Sequence, residues 1–120
     1  FNRLSAIKLT CDLSAEFARR WYAPRHIYLP KVSKAIDLWT LPLNSLFTYI
    51  VNSEDKIPCV GDMMVWKPTN DHAGHVAIVI SVLSPQSIII AEQNTAAANG
   101  IRTINPHGYS ILGWMHPRRL

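Results

Sequence analysis

The sequence predicts an α+β fold in which N-terminal helices pack on an antiparallel sheet. The first half of the 120-residue chain has helical periodicity between prolines, and the second half has apolar runs of strand length separated by turns. Helices that precede a series of strands, without alternating with them, favour an antiparallel sheet. A chain of this length is expected to form one domain, residues 1–120.

The first half contains one strong helical pattern and two weaker ones. Leu13 to Tyr22 is predicted to be a helix, because Leu13, Phe17 and Trp21 repeat at four-residue spacing and would form one apolar face. Pro24 is expected to stop this helix. Two further segments are predicted to form a short helix or turn and a weaker helix, respectively: Lys31 to Trp39 and Leu43 to Val51.

The second half begins at a turn, Pro58 to Asp62, where Pro and Gly lie at turn positions. Four strands are predicted after it: Met63 to Trp66, His75 to Leu83, Ser87 to Glu92, and Tyr109 to Met115. The segments between these strands are predicted to be loops or turns: Thr69 to Gly74, Ser84 to Gln86, and Thr95 to Gly100.

Composition excludes several functional classes. The net charge of +4 comes from dispersed basic residues without a basic tract, so we expect no nucleic-acid partner. No apolar run approaches the roughly 18 residues of a membrane helix, so no membrane span is expected. The two cysteines, Cys11 and Cys59, are expected to be buried free thiols in preference to a disulfide. We expect no cofactor.

A candidate catalytic pair lies on the predicted hairpin. If Val82 faces Ser87, then His75 faces Asn94 and Ala77 faces Glu92, which places His75, Glu92 and Asn94 on one face. A slip of one residue would bring Gln93 there instead. Either partner could bond one ring nitrogen of the histidine and leave the other as a base.

Two alternatives compete with catalysis at this position. A histidine at the end of a strand is often an ordinary surface or core residue. A zinc site is also conceivable, since His72 and His75 have H-x-x-H spacing with Asp71 nearby, but structural zinc normally takes four ligands. We therefore expect no metal there.

Six motifs occur in order along nearly the whole chain: Glu16-Phe17-Ala18-Arg19-Arg20-Trp21, Pro58-x-x-Gly61-Asp62, the Trp66 strand, Gly74-His75-Val76-Ala77, Ala91-Glu92-Gln93-Asn94, and Leu112-Gly113-Trp114. Together they resemble the CHAP family, the cysteine- and histidine-dependent amidohydrolases/peptidases, and in particular the amidase domain of glutathionylspermidine synthetase/amidase. The resemblance implies a papain-like fold of the NlpC/P60 type.

The resemblance also implies residue roles. His75 matches the general base and Glu92 the acid that orients it, while Asn94 and Arg19 match residues that polarise or position the substrate. Ser14 stands where the family has its catalytic cysteine. The implied activity is hydrolysis of an amide in a small peptide-like substrate, of glutathionylspermidine type, or in peptidoglycan. A cytoplasmic location is favoured over a secreted or wall-associated one.

Several interpretations of Ser14 remain open. It could be an engineered replacement of cysteine, a natural change in a pseudoenzyme that binds peptide or peptidoglycan, or a serine nucleophile acting with His75, although a hydroxyl is far harder to activate than a thiol. Ser14 could also cap the helix, a role that serine performs well. Cys11 is a further candidate nucleophile, but it lies outside the matched motif.

Overall fold

The computed structural model describes residues 12–95 and 98–119, except the side chains of residues 94–95 and 98–99. Within the described residues, two α-helices and a 3₁₀ turn precede all of the strands: α1 (Leu13–Tyr22), the 3₁₀ turn (Ala23–Arg25) and α2 (Ile36–Thr40). The strands are β1 (Phe47–Val51), β2 (Met63–Trp66), β3 (His75–Ser84), β4 (Ser87–Thr95), β5 (Ala98–Ile104) and β6 (Ile111–Pro117). They form one antiparallel sheet in the order β1-β6-β2-β3-β4-β5.

Helix α1 has the predicted bounds but not the predicted buried face. Its most deeply buried side chains include Ala18 and Tyr22, whereas Phe17 and Trp21 are only partly buried against the core. Small residues let the helix approach the sheet closely, so the large aromatics lie at the margins of the contact. The helix ends two residues before Pro24, and the 3₁₀ turn continues it.

The sheet has an apolar cluster on each face, because side chains alternate along each strand. On one face, Val65, Val76 and Ile78 pack with residues of both helices, including Ala18 and Leu38. The other cluster is formed by the alternate positions of the same strands and their neighbours, such as Met64, Ala77, Ile90 and Trp114. Helices packed on an antiparallel sheet give the α+β architecture that the sequence predicted.

The helix predicted for Leu43 to Val51 is wrong throughout, because residues 44–46 form a turn and the residues that follow it form a strand. Phe47–Val51 is a strand at the edge of the sheet, and it pairs along its whole length with β6. The segment Phe-Thr-Tyr-Ile-Val consists of aromatic and β-branched residues, which favour a pleated strand. Pairing with a strand more than 60 residues away outweighs the weak helical pattern.

The loop predicted for Thr95 to Gly100 is also wrong. Strand β5 begins at Ala98 and pairs with β4 as the other edge of the sheet. The start of this strand was not recognised in the sequence, because the small residues in this segment lack the apolar alternation that indicates a strand. The last strand starts and ends two residues later than predicted, and α2 occupies only the C-terminal part of the predicted Lys31 to Trp39 segment.

The β3–β4 hairpin is paired differently at its two ends. Near the tip, the predicted pairing of Val82 with Ser87 is wrong, because Val82 pairs with Ile88 and Ser84 pairs with Ser87. Two irregularities in β3 then shift the register, so that Ile78 pairs with Ala91 as predicted. Bulges of this kind change the local pairing without moving the rest of the strand to the wrong face.

The turn before β2 is closed by hydrogen bonds between Asp62, its last residue, and Cys59. The Asp62 carboxylate accepts a hydrogen bond from the Cys59 N–H at 2.8 Å, and the Asp62 N–H bonds to the Cys59 carbonyl. Gly61 has a φ of +94°, a conformation that glycine adopts readily. Cys59 is a free and exposed thiol, so its predicted burial is wrong, and Cys11 lies outside the described residues.

Across residues 12–95 and 98–119, no helix is both long enough and apolar enough to cross a membrane.

Candidate active site

Ser14 occupies the first turn of α1 but does not cap it. The N-cap is Asp12, whose carboxylate accepts a hydrogen bond from the Ala15 N–H at 3.0 Å. The Ser14 hydroxyl donates to the same carboxylate at 2.7 Å and accepts a hydrogen bond from the Val76 N–H at 3.3 Å. The side chain at position 14 is therefore buried between the helix start and the residue that follows His75.

The predicted contact between His75 and Glu92 is confirmed. The Nε2 atom of His75 lies 2.6 Å from Oε1 of Glu92. Because an ionised carboxylate can only accept, Nε2 carries the proton and Nδ1 is the unprotonated nitrogen of the neutral ring. His75 and Glu92 thus lie on the same face of the β3–β4 hairpin, as predicted, despite the irregularities nearer the hairpin tip.

Sequence reasoning missed Arg102, which bonds to Glu92. His75, Glu92 and Arg102 together form a charged row. The Arg102 Nε donates to Oε2 of Glu92, and its Nη2 lies 3.2 Å from Oε1. The Glu92 side chain is only 3% exposed, whereas Arg102 is 50% exposed. The Trp66 ring is close to both basic side chains, with its centroid 5.1 Å from that of His75 and 5.7 Å from the Arg102 guanidinium carbon.

Burial and charge set the ionisation of this pair. Burial lowers the pKa of His75 below its ordinary value of 6.5, and the nearby Glu92 carboxylate offsets only part of that effect. Burial raises the pKa of Glu92, but the hydrogen bonds and charges of Arg102 and His75 outweigh it and leave the pKa below 4.5. At neutral pH the site therefore holds a neutral imidazole oriented by an ionised carboxylate.

Ser14, His75 and Arg102 share one open cavity of about 450 Å³. Its lining combines the start of α1, the end of β2, the loop before β3, the first residue of β3, and residues of β4 and β5: Asp12, Leu13, Ser14, Trp66, His72, Gly74, His75, Gln93 and Arg102. Both charge signs are present, since Asp12 and Arg102 contribute to the wall. Between the described side chains of Ser14 and His75, no direct hydrogen bond is formed.

The other two predicted site residues have different outcomes. The guanidinium of Arg19 bonds to Glu16 and to the Leu29 carbonyl, and it lines a separate cavity on the far part of α1. Asn94 lies within β4, but its side chain is outside the described part of the chain. Gln93, the partner expected from a slipped register, accepts a hydrogen bond from Arg20 on the helix side of the sheet.

The zinc alternative at His72 and His75 finds no geometric support. Among the described residues, these two histidines and Asp71 do not form a cluster of converging ligand atoms. The Nε2 atom of His75 is already engaged by Glu92. His72 still lines the cavity, where its imidazole is available to a bound molecule.

Comparison with known families identifies the scaffold. The family model of the CHAP domain matches residues 11–94, which include Ser14, His75 and Glu92. The chain belongs to the CHAP family. The CHAP family is in general one of amidases and peptidases, which are hydrolases of amide bonds. A search of curated proteins finds no match to this CHAP domain.

Sequence reasoning missed two charged residues of the CHAP domain site. Asp12 immediately precedes α1, and an Asp before an apolar helical pattern is a recognisable N-cap signal. Arg102 had no comparable signal, because it lies in a segment that was not predicted to be a strand. Its position beside Glu92 follows from the pairing of β4 with β5.

Proposed function

We propose that this chain is a CHAP amidohydrolase domain in which His75 is the general base, Glu92 orients it, and Ser14 occupies the nucleophile position. The observation that supports this most directly is the pairing of a neutral, buried imidazole with an ionised carboxylate in the cavity that also contains Ser14. We extend the proposal to a papain-like arrangement of a single domain over residues 1–120.

A thiol at position 14 would be well placed for covalent catalysis. The first turn of α1 carries N–H groups without intrahelical acceptors, and the helix dipole there favours a thiolate. The thiolate would attack an amide carbonyl, and His75 would take up the thiol proton and return it to the leaving amine. Water would then hydrolyse the acyl-enzyme, while the Ser14 backbone N–H stabilises the oxyanion.

With serine at position 14, the same site is poorly prepared to react. The Ser14 hydroxyl donates its proton to Asp12, so that proton is not directed to His75. Removing it would also create an alkoxide beside a carboxylate, and like charges at this distance disfavour ionisation. We therefore infer that this form binds its substrate without turning it over efficiently, whether the serine is engineered or natural.

The substrate class that fits is a small peptide-like amide. A cavity of about 450 Å³ holds a short peptide segment, and its wall offers both an anion and a cation. A glutathione-polyamine conjugate of glutathionylspermidine type and a peptidoglycan stem peptide both carry carboxylates and amines that could use Asp12 and Arg102. The net charge of +4 suits an anionic wall polymer better than a cationic polyamine.

A binding module without catalytic function is the second candidate. The specific observation that favours it is the Ser14–Asp12 hydrogen bond, which engages the hydroxyl at the nucleophile position with the N-cap residue of α1. A module of this kind would retain the charged row and the cavity for recognition. It would bind peptide or peptidoglycan and would show no turnover even with a cysteine at position 14.

Restoring the thiol separates the two candidates. We expect Ser14→Cys to hydrolyse glutathionylspermidine or purified peptidoglycan at least about 100-fold faster than Ser14→Ala, which keeps the buried side chain small but cannot react. Adding His75→Ala to the cysteine variant should remove the gain. Amine release is the measurement, and a cysteine variant that cleaves neither substrate but still binds one would favour the binding module.

A further inference from the structure

A second cluster of chemically active side chains lies outside the cavity. Cys59, Asp62 and His116 each present one potential ligand atom, and the three atoms lie within 4.8 Å of one another. None of the three lines the cavity that contains Ser14. Asp62 precedes β2 and Trp66 ends it, so the cluster is roughly 13 Å from the His75 end of that strand at the usual rise per residue.

Two independent features of the fold bring these groups together. The turn before β2 places Cys59 and Asp62 side by side, with the Cys59 N–H bonded to the Asp62 carboxylate. The pairing of Met63 with Met115 then brings the next residue of β6, His116, beside Asp62. The Nδ1 atom of His116 lies 2.6 Å from Oδ1 of Asp62. The cluster therefore joins a local turn to a distant strand.

The accessibility of the cluster suits a ligand that enters from solvent. The Asp62 side chain is only 1% exposed, whereas His116 is 43% exposed and Cys59 is at the surface. The Nε2 atom of His116 has no hydrogen-bond partner among the described residues. A buried carboxylate at the base and two softer ligands at the rim form a half-open site.

We propose that Cys59, Asp62 and His116 bind a Zn²⁺-class transition-metal ion, with solvent in the fourth position. Thiolate sulfur, imidazole nitrogen and carboxylate oxygen are the ligands that Zn²⁺ takes in proteins, whereas Ca²⁺ and Mg²⁺ take oxygen ligands. Ligand atoms around tetrahedral zinc are about 3.3–3.6 Å apart, so the His116–Asp62 pair at 2.6 Å must open, and atoms as far apart as 4.8 Å must close by about 1 Å. Rotation of the exposed Cys59 and His116 side chains provides that movement.

Bound metal would clamp the turn before β2 to β6. The three ligands come from two segments more than 50 residues apart, so the ion closes a long loop and stabilises only the folded chain. The site lies at the other end of β2 from His75, so its loss should leave substrate binding in the cavity intact. This proposal is independent of the function assigned to Ser14.

Metal titration of the chelator-treated protein tests the proposal. We expect one equivalent of Zn²⁺ by calorimetry, and Co²⁺ substitution should produce a thiolate-to-cobalt charge-transfer band. Loss of an outer-shell partner alone weakens metal binding by about 10- to 100-fold, so Cys59→Ser should weaken Zn²⁺ binding by more than about 100-fold and abolish the band. Zn²⁺ should raise the melting temperature of the parent protein but not of Cys59→Ser.

Matched controls distinguish this site from others in the chain. Cys11→Ser removes the other cysteine, and His72→Ala removes a histidine of the cavity, so both should bind Zn²⁺ like the parent. His116→Ala should bind as weakly as Cys59→Ser. The proposal is overturned if Cys59→Ser binds Zn²⁺ as tightly as the parent, or if the cobalt band disappears in Cys11→Ser and persists in Cys59→Ser. Circular dichroism confirms that each variant is folded, and Cys59→Ser is decisive because its altered atom is exposed.

Discussion

Replacing Arg102 with methionine would leave the Glu92 carboxylate buried without its cationic partner. Breaking a fully buried ion pair costs about 3–5 kcal/mol, and breaking an exposed pair costs about 0–1 kcal/mol. The Glu92 side chain is 3% exposed and Arg102 is 50% exposed, so the pair lies between these limits. We expect Arg102→Met to lower the free energy of unfolding at pH 7 by about 2 kcal/mol, which corresponds to a melting temperature about 8 °C lower.

The same prediction has a distinct pH dependence. The folded-state pKa of Glu92 lies below its ordinary value of 4.5, so its ionised form stabilises the fold above that pH and the stabilisation is lost as pH falls through the folded pKa. Without Arg102, one of the causes that lower the pKa of Glu92 is lost, so that pKa rises. The stability difference between the parent and Arg102→Met should therefore be largest at neutral pH and should shrink as the pH falls below 4.5.

Urea unfolding at several pH values measures this difference. Arg20→Met is the matched control, because Arg20 is an exposed arginine bonded to the neutral side chain of Gln93, and its loss should cost less than about 1 kcal/mol. The reasoning would be refuted if Arg102→Met were no more destabilising than Arg20→Met at pH 7. A difference that stayed constant down to pH 4 would show that lost packing, and not the Glu92 charge, causes the effect.

Three further predictions concern single positions. Gly113→Ala should unfold the protein, because the new Cβ would lie 2.0 Å from a backbone oxygen of β1, whereas Gly100→Ala meets nothing within 4 Å and should melt like the parent. NMR titration should give a pKa for His75 below 6.5, and Glu92→Gln should lower that pKa further, since the carboxylate raises it; an increase would contradict this. Tyr22→Phe removes a buried 2.6 Å hydrogen bond to a backbone carbonyl, so the free energy of unfolding in urea should fall by about 1–1.5 kcal/mol, and no change would contradict the bond's contribution.

Local patterns predicted the elements whose stability depends on nearby residues. Helix α1 has the predicted bounds, and β2 has the predicted bounds as well. Both have clear signals, namely a helical repeat ended by proline and an apolar run between a turn and a loop. The two edge strands were missed for different reasons: the strand-favouring residues of β1 were assigned to a weak helical pattern, and β5 begins in small residues without apolar alternation. Pairing with β6 and β4, respectively, orders both strands.

The site was predicted in part for the same reason. His75 and Glu92 were placed together because a hairpin keeps short-range register, and the contact survived a wrong pairing at the tip. The N-cap role of Asp12 could have been predicted, because Asp12 directly precedes the correctly predicted start of α1. Its hydrogen bond with the Ser14 hydroxyl depends on the side-chain geometry of the folded helix start. The catalytic roles of these residues remain predictions.

The sequence by itself determined the α+β class, the CHAP resemblance and the positions of Ser14, His75 and Glu92, because periodicity and motif spacing are local properties of the chain. Only the tertiary structure decided which charges meet. Arg102 reaches Glu92 through the pairing of the consecutive strands β4 and β5, and His116 reaches Asp62 through a pairing between segments more than 50 residues apart. The free energy of such a pairing depends on the burial and register of the whole sheet, so no short segment of the chain specifies it.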